Sequence, residues 1–354
     1  MSPSWTFLFS DDNGALRTKV VGVYALLIAA NVAVWIWAIC CSRQYPVMLG
    51  IAAIAYSLGL RHAFDADHIA AIDNVTRRFI QKGERPIGVG FYFSLGHSTI
   101  VVGLTIAIAL TTTALHGEFA SLKTMGVVIG AVVSSLFLFA IALANALALC
   151  SLYGTFRAVK NGGRFVQEDL DLALANQGVL GRLFRRFFHL IERSWQMYPL
   201  GLLFGLGFDT ATEVGLLGVS ATQASVGLPV WQILLFPALF TAGMTLLDTT
   251  DNLLMLGVYG WASVKPVRKL YYNLTITGLS VLVAVIVGGL QALNLIGAQL
   301  GLVERGGFFA LIAAMNDNFG ALGVFIVGIF ILTWVVSYGV YRARNYDEIG
   351  AVAE

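Results

Sequence analysis

Of 354 residues, 58% are hydrophobic and only 12% are charged, and the mean hydropathy is +0.79. A soluble domain carries a charged fraction of about 25%, so a soluble globular protein is excluded and a polytopic all-α membrane protein is indicated. The net charge of +2, with no basic stripe interleaved with aromatics, excludes a nucleic-acid partner.

Residues 1–19 contain Asp11 and Asp12, no basic leader and no small-residue cleavage site, so the first helix reads as an anchor rather than a signal peptide. Apolar segments long enough to span a bilayer, about 20 residues each, cover approximately 20–41, 46–72, 87–112, 124–153, 198–219, 228–258, 270–293 and 322–341. The expected architecture is therefore about eight transmembrane helices. Four form an N-terminal half over 1–153, a basic loop covers 154–197, and four more form a C-terminal half over 198–354.

Orientation follows from the loops. With the N-terminus in the cytoplasm, inner loops and termini carry eighteen of the 22 lysines and arginines, while outer loops keep Arg43, Lys123 and Arg305. Arg61 alone sits at membrane depth. The excess predicts cytoplasmic N- and C-termini. Within the basic loop, residues 180–195 are amphipathic and carry Arg182, Arg185, Arg186 and Arg193, which predicts a segment lying on anionic membrane lipid. His189 in that segment reads as interfacial, not as a ligand.

Helix one holds Asn31 among apolar neighbours, expected first as a hydrogen-bonding link between helices and second as a group lining a path. Cys40, Cys41 and Cys150 form no CxxC pattern and read as structural. Helix two contains the densest chemistry. Arg61-His62-Ala63-Phe64-Asp65-Ala66-Asp67-His68-Ile69 puts one cation, two imidazoles and two carboxylates into eight residues directly after an apolar run, and Asp73 follows. Charge is costly there and marks a site. Neutral imidazole nitrogens with carboxylate oxygens are ligands for a divalent first-row metal.

Three other helices add polar groups at membrane depth. They are Ser94-Leu95-Gly96-His97-Ser98-Thr99, Phe208-Asp209-Thr210-Ala211-Thr212-Glu213 and Gly243-Met244 through Asp248 to Asp251-Asn252. At 1.5 Å per residue, His97 lies about 15 Å from the cytoplasmic entry of its helix, and Asp209 a similar distance into its own. Asp248 and His62 fall near the same level. Four helices presenting ligand-type groups at one depth, with excess negative charge, predict a cation path through Asp209, Glu213, Asp248 and Asp251. Thr210 stands beside Asp209 on that path, and Ser98 and Thr249 are expected to hydrogen-bond between helices. The outer loop 294–321, with Glu304, Asn316, Asp317 and Asn318, reads as an ordinary polar connection.

Helical geometry limits how helix two can hold an ion. At 100° per residue, His62, Asp65 and His68 share an arc of about 120°, whereas Asp67 points about 100° away from His68. His62 and His68 stand six apart, so both reach one ion only if the helix unwinds locally or other helices complete the shell. Broken helices at the bilayer midplane serve this purpose in transporters. Arg61, four residues before Asp65, is placed to neutralise it, which leaves Asp67 as the expected carboxylate ligand.

The run from Arg61 to Ile69 resembles the RHA-x-DADHI signature of the nickel/cobalt permease family, high-affinity uptake permeases of bacterial plasma membranes. The resemblance extends to Phe91-x-Phe93-x-Leu95-Gly96-His97-Ser98-Thr99, to Leu206-Gly207-Phe208-Asp209-Thr210-Ala211-Thr212-Glu213, and to the run from Gly243 to Asp251. It implies an eight-helix permease in which His62, Asp67 and His68 bind the metal with His97 close by. Phe64 occupies the variable position of the signature and bears on the choice between nickel and cobalt. Phe64-Asp65-Ala66-Asp67 also echoes Phe208-Asp209-Thr210-Ala211, on helices expected to run in opposite directions, a pattern of inverted repeats.

Other function classes fit less well. No HExxH motif is present, and five histidines cannot supply the His boxes of a membrane di-iron oxygenase. No GxxxxGK[ST] motif supports an ATP-driven pump within this chain or points to an ATPase subunit. A metal sensor would carry a soluble output domain. Secondary transport remains, with the metal as transported substrate rather than cofactor. Uptake is expected, and export is the nearest rival.

Overall fold

A computed structural model of the chain describes residues 14–43, 45–81, 83–111, 118–160, 191–206, 211–262 and 266–343. Every extended element among them is a helix. In hydrocarbon each backbone N–H and C=O must be satisfied within its own segment, and long apolar runs with few charges meet that demand as helices.

The first half contains α1 (Gly14–Ser42), α2 (Val47–His62), α3 (Ala66–Gln81), α4 (Val89–Thr111) and α5 (Glu118–Lys160). The second half contains α6 (Met197–Phe204), α7 (Ala211–Ser225), the short α8 (Val230–Ile233), α9 (Leu235–Ala262), α10 (Pro266–Gln299), α11 (Phe308–Asp317) and α12 (Phe319–Ala343). Among the described residues, five segments are long and apolar enough to cross a membrane: Leu16–Ser42, Val89–Leu110, Val230–Gly257, Leu274–Gln299 and Phe319–Ser337. The α2–α3 pair makes a sixth when counted as one broken span. Two expected spans fall outside that count. In α5 the apolar stretch is Ala131–Leu147, and the stretch expected over 198–219 is divided between α6 and α7.

The helices are inside-out relative to a soluble protein. Leu26, Ile28, Val32 and Ile36 on α1, and Phe325, Ile331, Leu332 and Val335 on α12, are all more than half exposed. Apolar surface of this extent suits lipid tails rather than water.

Polar residues collect inside instead, and α3 lies at their centre. Asp73, Asn74, Thr76 and Arg77 on this helix are all at most 1% exposed. Ser280 of α10 donates to Asp73, Asn252 of α9 donates to Thr76, and Asn145 of α5 donates to Asn74. A helix that buries its polar groups needs such partners from its neighbours.

Helix two is not continuous. It stops at His62, turns through Ala63–Asp65, and resumes as α3 at an angle of 51°. The turn is closed by Phe64 N–H donating to Arg61 O at 3.0 Å and Asp65 N–H to His62 O at 2.8 Å. Gly323 of α12 lets the break be packed, because any Cβ there would overlap the Phe64 carbonyl. In the second half α6 ends at Phe204, capped by Gly205, and the described residues resume at Ala211 within α7; Asp209 and Thr210 lie outside them.

Candidate metal site

The break after α2 turns His62 and His68 toward one point, where α4 supplies His97. The ring centroids of these three imidazoles lie 4.6, 4.7 and 4.9 Å apart. The residues are 1, 1 and 3% exposed, respectively, for His62, His68 and His97. One ring nitrogen from each can be chosen so that all lie within 4.8 Å of one another. Phe93 packs against His68 and Phe240 against His62, so apolar walls stand where water would otherwise compete.

A separate carboxylate holds each ring. Asp65 Oδ2 lies 2.7 Å from His62 Nδ1. Asp248 Oδ2, on α9, lies 3.1 Å from His68 Nδ1 and also accepts from the Ser94 hydroxyl at 2.6 Å. Glu213 Oε1, in the first turn of α7, lies 2.8 Å from His97 Nε2. Thr212 completes the surround at 3.0 Å from His62 Nδ1. Carboxylate oxygens accept, so Nδ1 of His62 and of His68 carries the proton and Nε2 keeps the lone pair that binds metal. His68 Nε2 is buried without a hydrogen-bond partner, as are His97 Nδ1 and Asp248 Oδ1. Buried polar atoms left open in this way are costly unless a ligand uses them.

The other expected site residues are distributed differently. Asp67 turns away from the histidines: its Oδ1 accepts from the His68 backbone N–H at 3.0 Å and its Oδ2 from Gln291 Nε2 at 3.1 Å. Gln291 is itself held by Ser134 at 2.6 Å. Asp65, and not Asp67, is the aspartate of the signature that touches an imidazole. The expected neutralisation by Arg61 does not form among the described residues, because the turn after α2 swings Asp65 onto His62. Asn31 donates to Leu27 O and Ala242 O and accepts from Tyr56, which makes it a link between α1, α2 and α9. Phe64 is 36% exposed at the break, facing away from the imidazoles. Asp251 lies one turn beyond Asp248, outside the cluster. Asp209, Thr210 and His189 fall outside the described residues.

Thr212 and Ser94 stand in the polar runs read from the sequence but have no role assigned there, and Gln291 and Ser134 are not singled out by sequence. Gln291 carried a usable signal, since it is a lone polar group in the apolar run 281–293, whereas Ser134 stands beside Ser135. Thr212 and Ser94 are ordinary hydroxyls whose role depends on what faces them.

Comparison with known proteins identifies the family. Residues 48–340 match the family described as high-affinity nickel-transport protein. A high-affinity nickel transport protein of Cupriavidus necator is 54% identical over 96% of this chain and 96% of its own length. The nickel transporter NicT of Mycobacterium tuberculosis is 44% identical over 85% of this chain and 80% of its own. The cobalt transport protein NhlF of Rhodococcus rhodochrous is 39% identical over 89% of both chains. No solved structure matches the chain. With most of its length matched and these identities spread along it, the chain belongs to the high-affinity nickel-transport protein family.

Proposed function

We propose that this chain is a secondary-transport permease that takes up divalent nickel, with cobalt as a related substrate. The observation that carries the proposal is the trio of buried imidazoles from two half-helices and α4, each turned by its own carboxylate. His62 Nε2 and His97 Nε2 stand 2.9 Å apart, the separation of an N–H···N hydrogen bond, and His97 Nε2 also faces Glu213 at 2.8 Å, so an arriving ion takes the place of that shared proton. The third ring closes in by several tenths of an ångström when an ion arrives. Asp67 then braces α3 through Gln291, and Asp248 and Glu213 offset the ion's charge in a low dielectric.

The full layout we infer has eight crossings, with α5 and the α6–α7 pair supplying the two beyond the six long apolar spans, and α11 dipping in from the outer side. Both termini face the cytoplasm of a bacterial cell, and the membrane is its plasma membrane. The N-terminal half, the basic loop and the C-terminal half divide as the charge pattern suggests. Asp209 and Thr210 join Glu213, Asp248 and Asp251 along the path, and Phe64 tunes the metal choice from outside the imidazole cluster. The ion is cargo, no catalysis is needed, and no ATPase subunit is required.

Metal accumulation in cells producing the chain tests this reading, with Ni²⁺ and Co²⁺ offered separately and in competition. Net accumulation above empty cells is expected. Depletion relative to empty cells would mean export, and equal content would remove the transport reading.

A further inference from the structure

We propose that the junction between α11 and α12 forms an outer loading site for a partly dehydrated divalent cation, built from Asp317, Asn316 and Asp65, beside the guanidinium of Arg61. The proposal rests on the transport reading above. It arises from a narrow recess of about 10 Å³, room for about one water, whose walls include Arg61, Asp65, Thr212, Asn316, Asp317 and Gly320.

The recess ends on the imidazole cluster. Two of its wall residues, Asp65 and Thr212, contact His62 Nδ1 at 2.7 and 3.0 Å. Asp65 therefore faces two ways. One of its oxygens touches His62, while the other borders the recess, 3.3 Å from the place a Cβ on Gly320 would occupy. Arg61 Nε stands 3.3 Å from that same place. Gly320 thus keeps open a gap between the guanidinium and the carboxylate.

The other wall is the end of α11. Asp317, its last residue, is exposed, and Asn316 before it is 2% exposed with its Oδ1 lacking any hydrogen-bond partner. A buried amide oxygen with no donor costs stability unless something uses it. The last carbonyls of a helix add partial negative charge, which favours a cation. Carboxylate, amide and carbonyl oxygens suit a hard cation that still keeps part of its water.

Among the described residues Arg61 forms no ion pair with Asp65 or Asp317, although all three line the recess. A doubly charged ion entering there meets both carboxylates and repels the guanidinium. Arg61 can then swing into the surface groove that it shares with Phe64 and Val324. The ion is first held by oxygen, sheds water there, and passes Asp65 to reach the nitrogens. Oxygen before nitrogen makes dehydration stepwise rather than a single large barrier.

Reconstituted full-length protein tests the proposal, using Ni²⁺ alone as probe. Asp317→Asn should raise the KM for Ni²⁺ uptake about tenfold. Maximal flux and equilibrium Ni²⁺ binding measured by titration calorimetry in detergent should stay within about twofold of the parent. Asp317→Glu should restore the parent KM. In a chain whose Cys40, Cys41 and Cys150 are replaced by Ala, Asp317→Cys should react with a membrane-impermeant maleimide from the outer side, more slowly when Ni²⁺ is present. An unchanged KM in Asp317→Asn, a parallel loss of equilibrium binding, or labelling from the cytoplasmic side alone would overturn the loading site. Absence of Ni²⁺ uptake by the parent would instead overturn the transport reading and the loading site with it.

Discussion

Each imidazole meets a different carboxylate, so the cluster separates two tasks. The histidines offer nitrogen to the ion, and Asp65, Asp248 and Glu213 hold the rings and balance the charge. Removing a ring should cost more than releasing one. His68→Ala is expected to lower Ni²⁺ affinity well over 100-fold, and Asp248→Asn about 10–100-fold, because the amide keeps the shape but lets the ring turn. Titration calorimetry on purified, folded variants measures both, and parent-like binding by His68→Ala would take it out of the site. Acid should act on the same atoms. An imidazole binds metal only when neutral, and its ordinary pKa is about 6.5, so affinity should fall as pH drops from about 7.5 to 5. Three ligating histidines make that fall steeper than one would. Affinity that holds steady over this range would exclude the histidines as ligands.

Among the elements, the contact of α4 with α6 sets where His97 stands. Gly96 of α4 and Gly201 of α6 interlock: a Cβ on either would collide with the backbone of the other helix, at Tyr198 O and Phe93 O. Side-chain movement cannot relieve such a collision. Small residues at crossings are how membrane helices come close when lipid supplies no hydrophobic drive between them. Gly201→Ala should therefore push α4 outward and carry His97 with it. We expect a stability loss of about 1–3 kcal/mol, together with at least about tenfold weaker Ni²⁺ binding. Thermal unfolding in detergent and calorimetry on the same sample read the two effects. A variant that binds and unfolds like the parent would show that the crossing does not position the ligand. The break in helix two works at the same scale. A continuous helix two would leave His62 and His68 six positions apart, and the turn at 63–65 is what lets both rings face one ion.

For the whole molecule, the transport reading proposed above makes the membrane potential the expected driving force. A charge crossing 100 mV gains about 2.3 kcal/mol, so a divalent ion gains about twice that. In vesicles containing only this protein, an inside-negative potassium diffusion potential set by valinomycin should drive Ni²⁺ accumulation against its gradient. Collapsing the potential at constant pH should reduce uptake to equilibration. Concentrative uptake that survives the collapse and disappears with a proton gradient would assign the coupling to protons.

Much of this was legible without coordinates. Hydropathy marks the class because the bilayer is a solvent with a sharp preference, acting on each residue nearly independently of its neighbours. The same reasoning made His62, His68, His97, Glu213 and Asp248 stand out, since ionisable groups are expensive in hydrocarbon wherever they sit. The six-residue spacing of two imidazoles on a helix with a 3.6-residue period called for either a local break or ligands from other helices, and the structure has the break after His62 as well as His97 from α4. Pairing did not follow. That Asp65 holds His62 while Asp67 turns to Gln291, that Asn31 links helices, and that Arg61 faces a recess under α11 all depend on which surfaces meet across the fold. Such contacts join residues as far apart in the chain as Asp67 and Gln291, and no local pattern of periodicity or charge encodes them. Tertiary packing decided which of several equally polar groups faces the ion and which braces the helices around it.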